Sequence, residues 1–287
     1  MSTSFFRLHD LPVASTALLL AFLLATSAKA QDEPVELADD PFEISDPIAA
    51  APGSAEMAFV GIYERARSGR IRDTIGGETE LEFGVAPRLE LRLGQSGAYG
   101  NLETRRRLGA AGDLGSALGE NERAQGGGTS RIGAMYQFTD DRGAAPAVAL
   151  LGRLRTLYGP GRTSYEAETV LLVGKTITRG ELPLGIHVNL GWTTRLDPQP
   201  GERPDRYLLN ASLGQAITRD TALVLTYALS QQERGDRDYS LIQAGFRHRL
   251  AGSGVVLGLA AGAGLNRDTP RFQVAFAVQW ALSQGGP

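Results

Sequence analysis

The chain has 287 residues, no Cys, 29 basic and 32 acidic residues and a formal net charge of −3. The lack of Cys excludes a disulfide scaffold, a thiolate metal site and a Cys nucleophile, and the balanced charge offers no broad positive field for nucleic acid. Gly is over-represented at 36 residues, and a mean hydropathy of −0.14 suits either a soluble chain or one that alternates apolar and polar faces.

Residues 1–30 read as a secretory signal. Arg7 supplies the n-region, Val13 to Ala25 is an apolar run, and Ala28-Lys29-Ala30 is a small-x-small cleavage site. The apolar run is shorter than the roughly 20 residues of a membrane-spanning helix. Cleavage after Ala30 is therefore expected. Residues 31–54 then carry seven acids, no base and four Pro. Such a segment cannot bury enough apolar surface to fold alone. It reads as an exposed, disordered periplasmic linker ahead of a barrel domain at 55–287.

From there the chain repeats runs of about ten residues with period-two alternation, a strand pattern. In 182–193, Leu182, Leu184, Ile186, Val188, Leu190 and Trp192 share one face, and Pro183, Gly185, His187, Asn189, Gly191 and Thr193 the other. Residues 271–282 sort in the same way. Twelve strands are predicted, at 56–65, 77–86, 88–95, 129–138, 146–156, 165–176, 182–193, 206–217, 221–230, 238–249, 254–263 and 270–282. Short and longer connections alternate strictly along the chain, the longest being 96–128, which holds Arg105-Arg106-Arg107. An even strand number, short turns at one end and longer loops at the other define an all-β, transmembrane, antiparallel up-and-down β-barrel. Tyr63, Phe138, Tyr158, Tyr165, Trp192, Tyr207, Tyr239 and Trp280 lie near strand ends, where interface girdles are expected. A soluble sandwich or lipocalin-like barrel is the competing architecture, because alternation also fits half-buried sheets.

The face opposite the apolar one is the functional question. It carries Glu78, Glu80 and Glu82 on the second strand and Arg88, Glu90 and Arg92 on the third. A tight turn at Pro87 makes these two sets neighbours, so acids face Arg across the pair. Further inward candidates are Arg131, Arg153, Arg155, Glu166, Glu168, His187, Asn189, Gln243, Arg247, Arg249 and Gln273. They either line a hydrated solute pathway or fill a narrow lumen as ion pairs, since charges inside a barrel must be hydrated or paired. Inward Gly84, Gly133, Gly174, Gly185, Gly191, Gly214, Gly245 and Gly258 leave lumen space, allow curvature or make room for a facing side chain.

No catalytic residue, metal-ligand set or cofactor motif is assigned. His187 and His248 are the two His left after signal removal, and no Ser–His spacing suggests a triad. The Gly-rich run at 262–264 precedes no helix, so it cradles no phosphate.

At the level of strand patterns the chain resembles outer-membrane transporters of the phenol-degradation meta-pathway (MetA-pathway) family. The likeness rests on ETELEFGVAPRLELRLG at 78–94, GDLGSALG at 112–119, YEAETVLLVGK at 165–175 and the terminal RFQVAFAVQW. A Gly-rich insertion after GDLGSALG departs from it. The resemblance implies a small barrel passing organic compounds and carries over no residue-level site. The expected function is therefore passive passage of a small, hydrophobic or aromatic, organic solute across the outer membrane of a Gram-negative bacterium. Expected partners are outer-membrane lipid or lipopolysaccharide, that solute and the barrel-assembly machinery, with the chain a monomer and no nucleic acid involved. A structural or surface-interaction barrel with a plugged lumen is the alternative, and a lipid-modifying enzyme is the third reading.

Overall fold

The computed structural model describes residues 35–102 and 124–283. Twelve strands run in chain order: β1 (Ala55–Arg65), β2 (Asp73–Ala86), β3 (Leu89–Gly100), β4 (Gln125–Thr139), β5 (Ala147–Tyr158), β6 (Ser164–Thr178), β7 (Leu184–Arg195), β8 (Asp205–Thr218), β9 (Thr221–Ser230), β10 (Tyr239–Leu250), β11 (Val255–Gly264) and β12 (Phe272–Ser283). Each pairs antiparallel with its sequence neighbours, and β1 closes the barrel on β12. Closure removes the unpaired edges that would otherwise invite aggregation or, in lipid, leave backbone groups unsatisfied.

The alternation places Phe59, Leu91, Leu93, Ile132, Leu154, Ile186, Leu190, Trp192, Leu213, Leu225 and Phe276 outward and exposed. An apolar surface of that extent, encircling a closed sheet, belongs in hydrocarbon rather than water. Tyr239 is a correction: it lies buried at 2% exposure beside Ala228 and Leu241, so it is not an interface aromatic.

The connection expected at 96–128 is shorter than the composition suggested. Gln95 to Gly100 pairs in register with Gln125 to Ser130, so the hairpin reaches Gly97↔Gly128 and Tyr99↔Gly126. Gly is a poor strand former with no side chain to show alternation, which is why this end read as loop. Arg105-Arg106-Arg107 and GDLGSALG, like the signal sequence, lie outside the described residues. At the other end, Ala86 pairs with Leu89 across Pro87 and Arg88. Arg88 occupies a left-handed turn conformation (φ 67°).

The larger correction concerns the acidic segment. Residues 35–54 are not an exposed linker; they enter the barrel. Val35 N–H donates to Arg219 O in a short turn at 2.9 Å, which fixes the entry end. The chain rises to Phe42 and Ile44, both under 4% exposed, and returns to donate from Gly53 N–H to Gly84 O at 2.7 Å. Three apolar clusters grip it around the wall. Leu37 packs with Ala216 and Ala222; Phe42 and Ile44 pack with Val60, Ile62, Val224 and Ala260; Ala49 packs on Met135, Leu151 and Leu172. Its composition forbids independent folding, but here the barrel supplies the apolar partner.

Inward glycines make room for it. A Cβ on Gly84 would strike Ala51 O, on Gly214 Leu37 O, and on Gly258 the Pro41 ring. At Gly174 and Gly185 it would meet Pro47 and Leu37 at 2.8 and 2.9 Å. Of the roles open to inward Gly, accommodation of a facing group is the one taken at these five positions.

Candidate functional site

Along β5 the inward residues run Arg155, Arg153, Leu151, Ala149, and along β6 Glu166, Glu168, Val170, Leu172. On these two strands the inner wall is charged toward the longer loops and apolar or small toward the short turns, where the inserted segment packs; on β2, β3 and β10 charge runs on to the short-turn end with Glu82, Glu90 and Arg247.

Along the charged wall neighbouring strands present opposite signs. Arg92 contacts Glu82 at 2.9 Å, Glu90 at 2.5 Å and Glu80 at 3.5 Å. Arg131 binds Glu78 at 2.6 Å and Glu80 at 2.7 Å. Arg153 pairs with Glu168 at 3.0 Å, and Arg155 reaches both Glu166 at 2.8 Å and Glu168 at 3.5 Å. Arg195 joins Glu166 at 3.4 Å to Glu202 and Glu233 on the longer loops, and Arg206 also donates to Glu166. Glu166, with its side chain 1% exposed, is thus shared by three guanidiniums. Shared, bidentate-capable Arg–carboxylate contacts are the arrangement that offsets the desolvation of buried charge.

These side chains wall a chamber of about 490 Å³ whose floor is the tip of the inserted segment, Asp39 to Ser45. Six Arg and nine carboxylates line it, among them Arg131, Arg155, Arg206, Glu78, Glu166 and Glu233. Gly94 lies under Arg131, where any Cβ would collide with the guanidinium stem.

The sequence candidates divide into three groups. Glu78, Glu80, Glu82, Glu90, Arg92, Arg131, Arg153, Arg155, Glu166 and Glu168 form the paired wall. Asn189 and Arg247 instead hold the inserted segment. Arg247, with 0% exposure, donates to Glu36 O at 3.1 Å and also to Ala38 O and Gln279. The Asn189 amide brackets Ser45, accepting from its N–H at 2.7 Å. His187 packs between Gly174 and Gly185 on the wall. Gln243 receives Glu43 N–H at 3.3 Å and donates to Gln273, and Glu90 receives Ala50 N–H at 2.8 Å. Arg249 is half-buried at the short-turn end. Arg88 is a correction: the turn carries it out of the lumen, where it binds Phe138 O and Asp140 at 2.9 and 3.0 Å.

Sequence reasoning missed Arg195, Arg206, Glu202 and Glu233. Arg195 shares the inward parity of His187 and Asn189 but falls two residues beyond the predicted strand end. Arg206 was the first residue of a predicted strand, and the two Glu reach in from loops.

This is the fold of an outer-membrane β-barrel. No protein-family model matches the chain, and no curated protein matches it in sequence. Among solved structures it is similar to an outer membrane channel from Pseudomonas putida F1, with 14% identity and a TM-score of 0.55, over 84% of this chain and 99% of that one. The KdgM porin in complex with disordered oligogalacturonate is more distant, at 8% identity and TM-score 0.48, over 78% of this chain and 98% of that one. The NanC porin lies at 8% and 0.46, over 78% and 97%.

Proposed function

We propose that the chain is a monomeric outer-membrane channel, exported by a cleaved signal and inserted by the barrel-assembly machinery. It admits a small organic solute into the charged chamber and is closed on the periplasmic side by its own residues 35–54. The observation that carries this reading is the chamber itself. A lumen serving only as scaffold has no need of a cavity of about 490 Å³ bounded by Arg and Glu. The longer loops surround its mouth, and in outer-membrane barrels longer loops face outward and short turns face the periplasm. The resemblance to meta-pathway transporters belongs to the same reading.

Walls of this kind favour a solute with hydroxyl, carboxyl or amine groups, because such groups replace the water a charged wall otherwise binds. A pure hydrocarbon would leave those charges unsolvated. An aromatic solute fits if its ring bears polar substituents.

A second reading, a closed structural barrel, is favoured by the packing of residues 35–54 on all sides. Liposome swelling separates the two. Proteoliposomes of the chain lacking residues 35–52 should admit small polar solutes faster than those of the intact mature chain, and a deletion strain should take such solutes up more slowly. A barrel that swells no liposomes and leaves uptake unchanged would contradict the channel.

A further inference from the structure

The rim around the long-loop end is electrically lopsided. Residues 65–73, joining β1 to β2, contain Arg65, Arg67, Arg70 and Arg72 against Asp73 alone. The adjoining β11–β12 loop adds Arg267 and Arg271 against Asp268. These loops are neighbours because β1 closes on β12, and they are tied together. Arg67 donates to Asn266 O at 2.8 Å and to Gly264 O, and Arg271 N–H donates to Arg65 O at 2.7 Å. Asp73 is taken by Arg65 at 3.1 Å and Asp268 by Arg267 at 3.3 Å. Arg70, Arg72 and Arg271 remain exposed with no carboxylate partner among the described residues. The rim formed by the β5–β6 and β7–β8 loops differs: Arg162 of the first is matched by Asp197 and Glu202 of the second, each at 3.3 Å.

Just below the basic rim the outward surface is apolar and aromatic. Ile75 and Tyr99 are 67% and 65% exposed, and the Tyr63 and Phe272 rings lie 5.8 Å apart. A cationic band directly above an apolar belt matches a ligand with phosphates at one end and acyl chains at the other. Guanidinium is the side chain best suited to phosphate, which it meets with two parallel N–H donors.

We propose that the β1–β2 and β11–β12 rim is a binding site for a phosphorylated glycolipid of the outer leaflet. Arg70, Arg72 and Arg271 take its phosphates, and the belt at Ile75 and Tyr99 takes its acyl chains. The proposal rests on the outer-membrane placement above but not on conduction; a non-conducting barrel would bind the lipid equally.

The test is native mass spectrometry of the full mature chain in detergent micelles, titrated with diphosphoryl lipid A. The variant Arg70→Gln/Arg72→Gln/Arg271→Gln is compared with Arg162→Gln on the opposite rim. Retained heat-modifiable mobility on gels establishes that each barrel is folded. The expected result is a lipid adduct on the wild type and on Arg162→Gln, weakened at least tenfold in the triple variant and by dephosphorylated lipid A. Inorganic phosphate at equal concentration should not compete. Equal adducts on wild type and triple variant would overturn the proposal. So would full competition by inorganic phosphate, which would make the site one for free anions.

Discussion

The two halves of the lumen solve the same problem by opposite means. The outer half keeps space open and fills its walls with charges that satisfy one another. The inner half is filled by the chain's own residues 35–54, admitted by glycines and bonded by charges such as Glu90 and Arg247. An ion-paired wall needs no occupant, because Glu78, Glu80, Glu166, Glu168, Glu202 and Glu233 each already have a guanidinium. An apolar, glycine-pitted wall would expose hydrophobic surface to lumen water, so it needs one. The contrast fits the proposed roles, in which the outer half would receive a solute and the inner half would form the closure.

The sharpest way to break the contrast is to fill a glycine pit. Gly214→Leu places a side chain where Leu37 O now lies. Displacement of residues 35–54 should follow, with conductance raised several-fold and new protease cleavage in that segment. Unchanged conductance in a folded barrel would make the segment's packing irrelevant to closure.

In the outer half, Glu166→Gln removes a carboxylate shared by Arg155, Arg195 and Arg206. Stranding buried guanidiniums costs about 3–5 kcal/mol, read from urea unfolding of the folded barrel in micelles. A loss under about 1 kcal/mol would show that lumen water screens these pairs as it does surface ones.

Arg247→Met should act on the inner half alone. It removes charge-assisted bonds to Glu36 O and Ala38 O, worth roughly 1.5–3 kcal/mol each in such settings. Faster hydrogen exchange is expected at residues 36–39, with the β5–β6 wall unchanged.

The smallest effect is in a short turn. Burial pulls the Asp141 carboxyl upward, but hydrogen bonds from Lys175 and Thr176 outweigh it and bring it down to about 2. Its folded value lies below the unfolded one of about 3.9. Its contribution is therefore complete above pH of about 4 and lost as pH falls toward 2. Asp141→Asn should flatten the stability profile in that window only.

The barrel was legible because period-two alternation survives in every strand that carries side chains; it faded only at the β3–β4 hairpin, where Gly97 and Gly126 to Gly128 leave nothing to alternate. The paired wall was legible for the same reason: Glu82 and Arg92 share a face and are brought opposite by a two-residue turn. Arg195 and Glu233 were not, because strand ends and loops carry no parity. The inserted segment was misread from its own composition. Its partner surface was nonetheless written in the strands, where inward residues change from Arg153 to Leu151 and from Glu168 to Val170. A polar lumen gives no reason for that change; a buried occupant does.

Single-channel conductance in planar bilayers, comparing the mature chain with one lacking residues 35–52, tests the closure directly. The inserted segment being the gate, the shortened chain should conduct several-fold more than the intact one and pass small polar solutes. Equal conductance from two folded barrels would contradict it, and would place the barrier in the Arg–Glu wall.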